Sequence, residues 1–205
     1  MENEGLRIGI CGGTFDPIHL GHLAVAEFIR NEYGLDKVLF MPSGMPPHKN
    51  LTNVADSVHR LNMVKCAVST NRYFEAIPIE VEREGYTYTV DTLRELREMY
   101  PDKTEFYYII GADVVMDLLV WRNVREVFKL TRFIAVMRPG FAKEKFSERL
   151  ESLKSKYDID ISSLEIPLLE ISSTLIRDRV KAGKSIKYLV TESVEEYIKK
   201  NDLYL

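Results

Sequence analysis

The segment Gly12–His22, GGTFDPIHLGH, constrains this chain more than any other. An apolar run, Leu6 to Cys11, precedes it and reads as a buried strand. Leu20 to Tyr33 follows and reads as a helix with Leu20, Leu23, Ala24 and Phe28 on one face. Strand, glycine pair, helix is the layout of a phosphate-handling turn in an α/β sheet. Gly12 and Gly13 lack Cβ atoms, so backbone amides can come close to a ligand, and Pro17 fixes φ just before the helix. His19 and His22 stand three apart on the first helical turn, where their rings share a face. That turn also carries unpaired N–H groups and the positive end of the helix dipole. A glycine pair is commonly only a tight turn, and a lone histidine commonly packs in a core. Two histidines three apart, after Gly-Gly-Thr and a proline, point instead to anion handling. Neither the P-loop pattern nor the G-x-G-x-x-G dinucleotide fingerprint occurs.

A length of 205 residues suits one domain, or one with a small appendage. The net charge of −3 gives no basic footprint for nucleic acid. Two cysteines, Cys11 and Cys66, cannot build a disulfide framework, which suits a reduced cytoplasmic setting. MENEGLRIGI has no long apolar segment of a signal peptide, and no apolar run reaches membrane-spanning length.

Lys37 to Met41 reads as a second strand, followed by a Pro- and Gly-rich loop, Pro42 to Thr52, that carries His48 and Lys49. A lysine in such a loop is commonly just solvated; its place after a strand on the same sheet edge as the glycine pair makes a ligand contact equally compatible. Ala55 to Ser69 is helical, with Val58, Leu61, Val64 and Val68 in one stripe and His59 and Arg60 on the surface. Phe74 to Val81 reads as a third strand. Thr87 to Tyr100 opens with Thr-Tyr-Thr, Thr89 serving as N-cap, and continues as a helix with Val90, Leu93 and Leu96 inward. Glu105 to Ile110 is a fourth, fully buried strand closed by Gly111-Ala112-Asp113, where Asp113 suits either a ribose contact or the N-cap of a short helix. Trp121 suits either the core or the stacking of a flat ring.

Val124 to Leu130 reads as a helix, Arg132 to Met137 as strand five ending at Arg138, Lys143 to Tyr157 as a charged amphipathic helix, and Ser163 to Leu168 as a last strand. Ile171 to Ala182 is a helix that starts with Ser172, Ser173 and Thr174, with Arg177 close behind; hydroxyls, free N–H groups and a guanidinium there make a second anion site. Gly183 ends it, and Ser193 to Lys200 is a last, packing helix. Strands alternating with helices give a Rossmann-like, doubly wound α/β fold with a mainly parallel sheet of about five or six strands and a small helical subdomain from about residue 141.

The motif GGTFDPIHLGH resembles the T/HxGH motif of the nucleotidylyltransferase superfamily, which includes the class I aminoacyl-tRNA synthetases. Its wording is similar to the bacterial nicotinate mononucleotide adenylyltransferases. PPHK (Pro46 to Lys49), TYTVDTL (Thr87 to Leu93), GAD (Gly111 to Asp113), Trp121 and ISSTLIR (Ile171 to Arg177) resemble the same family in the same order, over nearly the whole chain. The resemblance implies adenylyl transfer from ATP to nicotinate mononucleotide, with Mg²⁺ entering on ATP and no permanent metal cage. It implies that PPHK faces the phosphates and that the Thr-Tyr-Thr stretch meets the nicotinate carboxylate. His19, His22, Lys49 and Arg177 are the expected catalytic residues. ATP is expected at Gly12, Gly13, Thr14, Phe15, His19, His22, Gly111, Asp113, Ile171, Ser172, Ser173, Thr174 and Arg177. The mononucleotide is expected at Thr14, Lys49, Thr87, Tyr88, Trp121 and Arg138. No nucleic acid or membrane partner is expected, and a homo-oligomer is compatible with the sequence. The alternatives are a sister enzyme such as the phosphopantetheine adenylyltransferase, a synthetase-related fragment, disfavoured by the lack of a Lys-Met-Ser-Lys-Ser loop, and a non-catalytic nucleotide sensor.

Overall fold

The computed structural model describes residues 5–46, 54–137, 143–166 and 169–205. In chain order its elements are β1 (Arg7–Gly13), α1 (Leu20–Glu32), β2 (Lys37–Pro42), α2 (Ser57–Val68), β3 (Phe74–Ala76), α3 (Thr89–Met99), β4 (Glu105–Gly111) and α4 (Ala112–Asp117). A 3₁₀ turn (Leu118–Val120), α5 (Val124–Leu130), β5 (Arg132–Met137), α6 (Lys143–Tyr157), β6 (Ile161–Glu165), α7 (Ser173–Lys181) and α8 (Glu192–Lys200) follow.

The six strands form one parallel sheet in the order β3-β2-β1-β4-β5-β6. This is the Rossmann-like order, in which the chain winds first one way from β1 and then the other, leaving a crevice at the carboxyl ends of β1 and β4. Parallel strands covered on both faces are apolar on both, and here they alternate cleanly. Ile8, Ile10, Phe106, Tyr108 and Ile110 face α3, α5 and α6, packing with Val90, Leu93, Leu96, Phe128 and Phe146. Val38, Phe40, Tyr107, Ile109 and Ile134 face the other way, with Ala26, Ile29, Met63, Val64, Ile176, Val194 and Ile198. Each such fully buried side chain contributes roughly 1.5–3 kcal/mol of transfer free energy. Thus β6 extends the sheet, and α7 and α8 pack on the same core as α1 and α2. Among the described residues no helix is long and apolar enough to cross a membrane.

Several local expectations are corrected. The buried residues of α1 are Gly21, Ala26 and Ile29, while Phe28 is exposed, so the helix is turned away from the face that Leu20, Leu23, Ala24 and Phe28 define. In α2 the stripe holds at Leu61, Val64 and Val68, but Val58 is exposed and Arg60 is buried, drawn in by backbone carbonyls described below. The third strand stops at Ala76; Pro78, which has no N–H to give a ladder, stands two residues on. The last strand is Ile161–Glu165 rather than Ser163 to Leu168. The N-cap of α3 is Tyr88, not Thr89, and that of α4 is Gly111, so Asp113 lies inside the first turn of α4.

Candidate active site

The turn from β1 into α1 is unusual in its backbone. Phe15 is buried and holds φ at 50°, a left-handed value that a ring-bearing residue seldom adopts and that is stored at functional sites. Its ring lies against Gly13 and meets His22 edge-on at 5.1 Å. Gly12 has no room for a side chain, since a Cβ there would stand 2.6 Å from Tyr108 Oη.

His19 is the N-cap of α1 and His22 its third residue, and the two imidazoles stack at 3.6 Å, as the three-residue spacing predicts. The His19 backbone N–H donates to His22 Nδ1 at 3.2 Å. With Nδ1 an acceptor, the neutral His22 ring carries its proton on Nε2, which makes that nitrogen a donor. Gly21 between them is a packing requirement: a Cβ there would lie 3.0 Å from His19 Nδ1 and 3.4 Å from the Leu169 carbonyl.

Helix α7 docks on the other side of this turn. Ser172 is its N-cap, accepting from Leu175 N at 3.1 Å. Ser173 Oγ donates to the Pro17 carbonyl at 2.9 Å, and Arg177 donates to the Asp16 carbonyl at 2.7 Å and to Thr174 Oγ1 at 3.3 Å. Ile171 packs on the core below. The run Ile171–Arg177 is therefore brought to the glycine–histidine turn, with Ser173 and Arg177 already engaged by its backbone.

A cleft of about 330 Å³ opens at the carboxyl ends of β1 and β4. Gly12, Gly13, Gly111, Thr87, Tyr88 and Trp121 are among the residues that line it. Trp121 is half-buried and fulfils both sequence readings: it meets Tyr108 and Phe133 edge-on and also faces the cleft. Thr87 is only 4% exposed and its hydroxyl stands beside the buried Glu80 carboxyl, while the buried Ser43 Oγ has no hydrogen-bond partner among the described residues. Asp113 is exposed at the start of α4 beside Gly111. Lys49 and Arg138, like His48, lie outside the described residues.

Three cleft residues were not singled out from sequence. Ser43 follows β2 directly, in the loop read for His48 and Lys49. Arg122 stacks its guanidinium 4.5 Å from the centre of the Tyr88 ring, and its adjacency to Trp121 was the available signal. Glu80 gave no signal, because it reads as a strand residue. It is 6% exposed and accepts from Thr92 Oγ1 at 3.0 Å. Burial pushes its carboxyl above the ordinary value of 4.5, opposed by the Thr92 and Thr87 hydroxyls, the Arg83 charge and the Gly44 amide. Burial and the nearby Glu80 likewise raise the Tyr108 phenol, and burial alone pushes the Cys11 thiol to about 12, which leaves it inert.

Residues 10–179 match the cytidylyltransferase-like family. The chain belongs to that family. Over its whole length it is 50% identical to a probable nicotinate-nucleotide adenylyltransferase of Thermoanaerobacter sp. (strain X514), 96% of which is covered. It is 49% identical over 97% of its length to one from Desulfitobacterium hafniense (strain Y51), covering 95% of that protein. Among solved structures, the nicotinic acid mononucleotide adenylyltransferase of Plasmodium falciparum complexed with NaAD aligns with a TM-score of 0.75 at 23% identity, over 97% of each chain. The same protein complexed with APC aligns at 0.74 and 22% identity, again over 97% of each. These two likenesses carry the Rossmann-like fold; the bacterial relatives carry the family membership.

Proposed function

We propose that the chain is a nicotinate-nucleotide adenylyltransferase: it transfers AMP from ATP to nicotinate mononucleotide, giving deamido-NAD and pyrophosphate, and serves NAD biosynthesis in the cytoplasm. The observation that carries this reading is the cleft. Gly12 and Gly13 of the glycine–histidine turn line it together with Thr87, Tyr88 and Trp121, which supports one ligand with its phosphate against the turn and its pyridine ring against Trp121. The phosphate of the mononucleotide attacks the α-phosphorus of ATP in line; the bond to the bridging oxygen breaks and pyrophosphate leaves with its electron pair. The nucleophile is already an anion, so no side chain need be deprotonated. Holding the two anions together against their repulsion supplies roughly 7–11 kcal/mol of the barrier reduction.

His22, whose Nε2–H is fixed as a donor, and His19, stacked on it, hydrogen-bond the ATP phosphates as charge develops. The backbone of Gly12, Gly13, Thr14 and Phe15 lines the reacting phosphate, Gly111 and Asp113 the ribose of ATP. The part of the chain from about residue 141 completes the ATP side through Ile171, Ser172, Ser173, Thr174 and Arg177. Lys49 and Arg138 complement these charges. Thr14, Thr87, Tyr88 and Trp121 hold the mononucleotide. Mg²⁺ enters as part of the ATP complex.

The test is pyrophosphate release from ATP with a panel of acceptors: nicotinate mononucleotide, nicotinamide mononucleotide and phosphopantetheine. The acid should exceed the amide by about one to two decades in kcat/KM, because the hydroxyl and N–H donors of the α3 entry fit an anion, and a carboxamide leaves one unpaired at roughly 1–3 kcal/mol. Equal or faster turnover of the amide would remove the acceptor assignment, and release only with phosphopantetheine would replace it with the sister enzyme.

A further inference from the structure

The turn between β1 and α1 is held from behind by side chains that come from far along the chain. The Thr14 carbonyl accepts from Arg60 Nη1 at 2.7 Å, while Arg60 Nε donates to the Ala55 carbonyl at 3.0 Å. The Asp16 and Pro17 carbonyls accept from Arg177 and Ser173 at 2.7 and 2.9 Å. The Asp16 side chain, 3% exposed, sits in the middle. Its Oδ1 accepts from Ala55 N at 3.1 Å and from Tyr204 Oη at 2.7 Å. Its Oδ2 makes no hydrogen bond of normal geometry and has Arg177 Nη1 at 3.5 Å.

A buried carboxylate short of donors is costly, so losing one donor makes it draw harder on whatever charge is nearest. Here that charge is Arg177, the guanidinium expected to meet the ATP phosphates. Tyr204, whose hydroxyl reaches Asp16, holds φ at 66°. A non-glycine residue kept in that region, with its hydroxyl aimed at a buried group of the site, is an outlier from which a role can be inferred. Burial and the Asp16 charge push the Tyr204 phenol upward, so it stays a donor.

We propose that Tyr204 is a positioning residue for the ATP half of the site: by donating to Asp16 it weakens the hold of that carboxylate on Arg177, 3.5 Å away, and so leaves the guanidinium able to turn to the incoming phosphates. This rests on the reading of the turn as an ATP site. Tyr204→Phe removes one oxygen and keeps the packed ring. By titration calorimetry with Mg-ATP it should bind ATP about tenfold more weakly, and its KM for ATP should rise to match while the KM for nicotinate mononucleotide stays put. Tyr197→Phe is the control: it loses contacts to His59 and Asn62 at 3.0 and 3.1 Å without approaching the turn, and should leave ATP affinity unchanged. Adding Asp16→Asn to Tyr204→Phe neutralises the competing carboxylate and should return ATP affinity to within about twofold of wild type, a rescue that a purely structural role would not give. The proposal is overturned if Tyr204→Phe binds ATP normally, if it raises both KM values alike, or if Asp16→Asn fails to rescue it. A wild type that binds ATP but does not adenylylate nicotinate mononucleotide would remove the acceptor assignment, and the calorimetry would still decide the role of Tyr204.

Discussion

The glycine–histidine turn, proposed as the phosphate end of the site, and the cleft beside it, proposed as the pyridine end, differ in how their polar groups are employed. At the phosphate end the backbone is engaged by its own scaffold: the carbonyls of Thr14, Asp16 and Pro17 each accept from a distant side chain, and His22 Nδ1 accepts from the His19 N–H. At the pyridine end the buried Ser43 hydroxyl has no partner among the described residues, and the Glu80 carboxyl beside Thr87 is held above its ordinary acidity range by burial. The first arrangement is pre-organised: dipoles and donors are already fixed, so little reorganisation accompanies the developing charge. The second carries a stability cost in the free protein that a ligand can relieve, and a group of the wrong polarity leaves it unrelieved. Under the proposed function, the chemistry common to all acceptors falls to the pre-organised turn and discrimination among acceptors to the cleft.

The largest effect should come from the pre-organised end. If His22 donates to charge that develops in the transition state, as proposed, His22→Ala should lower kcat by roughly 10²–10³. Binding of nicotinate mononucleotide, measured by calorimetry, should hardly change, because that ring is held at the other end. A variant with near-normal kcat and a raised KM would erase the contrast, making His22 an ordinary binding residue.

The open end should answer in the opposite currency. Thr87→Val keeps the side chain's shape and deletes a buried hydroxyl that stands beside the Glu80 carboxyl, so the melting temperature should change little. The KM for nicotinate mononucleotide should increase by about tenfold, the weight of one buried hydrogen bond of roughly 1–3 kcal/mol. Loss of stability together with unchanged KM would mean that the hydroxyl serves the fold, and the two ends would then be alike.

Much of the phosphate end was legible in the sequence, because its requirements are local. The spacing of His19 and His22 predicts the ring stack, and Ser172 predicts the cap of α7. The family motifs likewise place Thr87 and Trp121 together in the cleft. What escaped was tertiary. Arg60 reads as a surface residue in an amphipathic helix, and nothing nearby in sequence reveals that the Thr14 carbonyl, 46 residues away, draws it inside. Tyr204 lies 188 residues from Asp16. Glu80 sits in a stretch whose alternation suggests a strand, and the chain leaves the sheet before reaching it. Periodicity also misjudged which way α1 faces, because Phe28 gives way to Ile29 and the small Gly21 and Ala26 on the buried side.

Glu80 gives the smallest and most specific test of the open end. Its folded-state pKa is raised above the ordinary 4.5, chiefly by burial, so the folded protein holds this proton more tightly than the unfolded chain does. Between the two pKa values the native state therefore binds more protons, and stability falls as pH rises through that window. The contribution is present in full below about 4.5 and lost above the raised value. Glu80→Gln removes the titration and keeps an oxygen that can accept from Thr92 Oγ1. Arg83, hydrogen-bonded to Thr92 Oγ1 at 2.9 Å and paired with Glu95, keeps its own partners. The melting temperature of the variant should thus match wild type at acid pH and move above it as the pH is raised towards neutrality. In the same range the acid mononucleotide should bind the variant somewhat better, since a negative charge near its carboxylate has gone. A difference in melting temperature that does not change with pH would show that Glu80 is equally acidic in the folded and unfolded chain, its burial balanced by its partners, and the pyridine end would then be as fully compensated as the phosphate end.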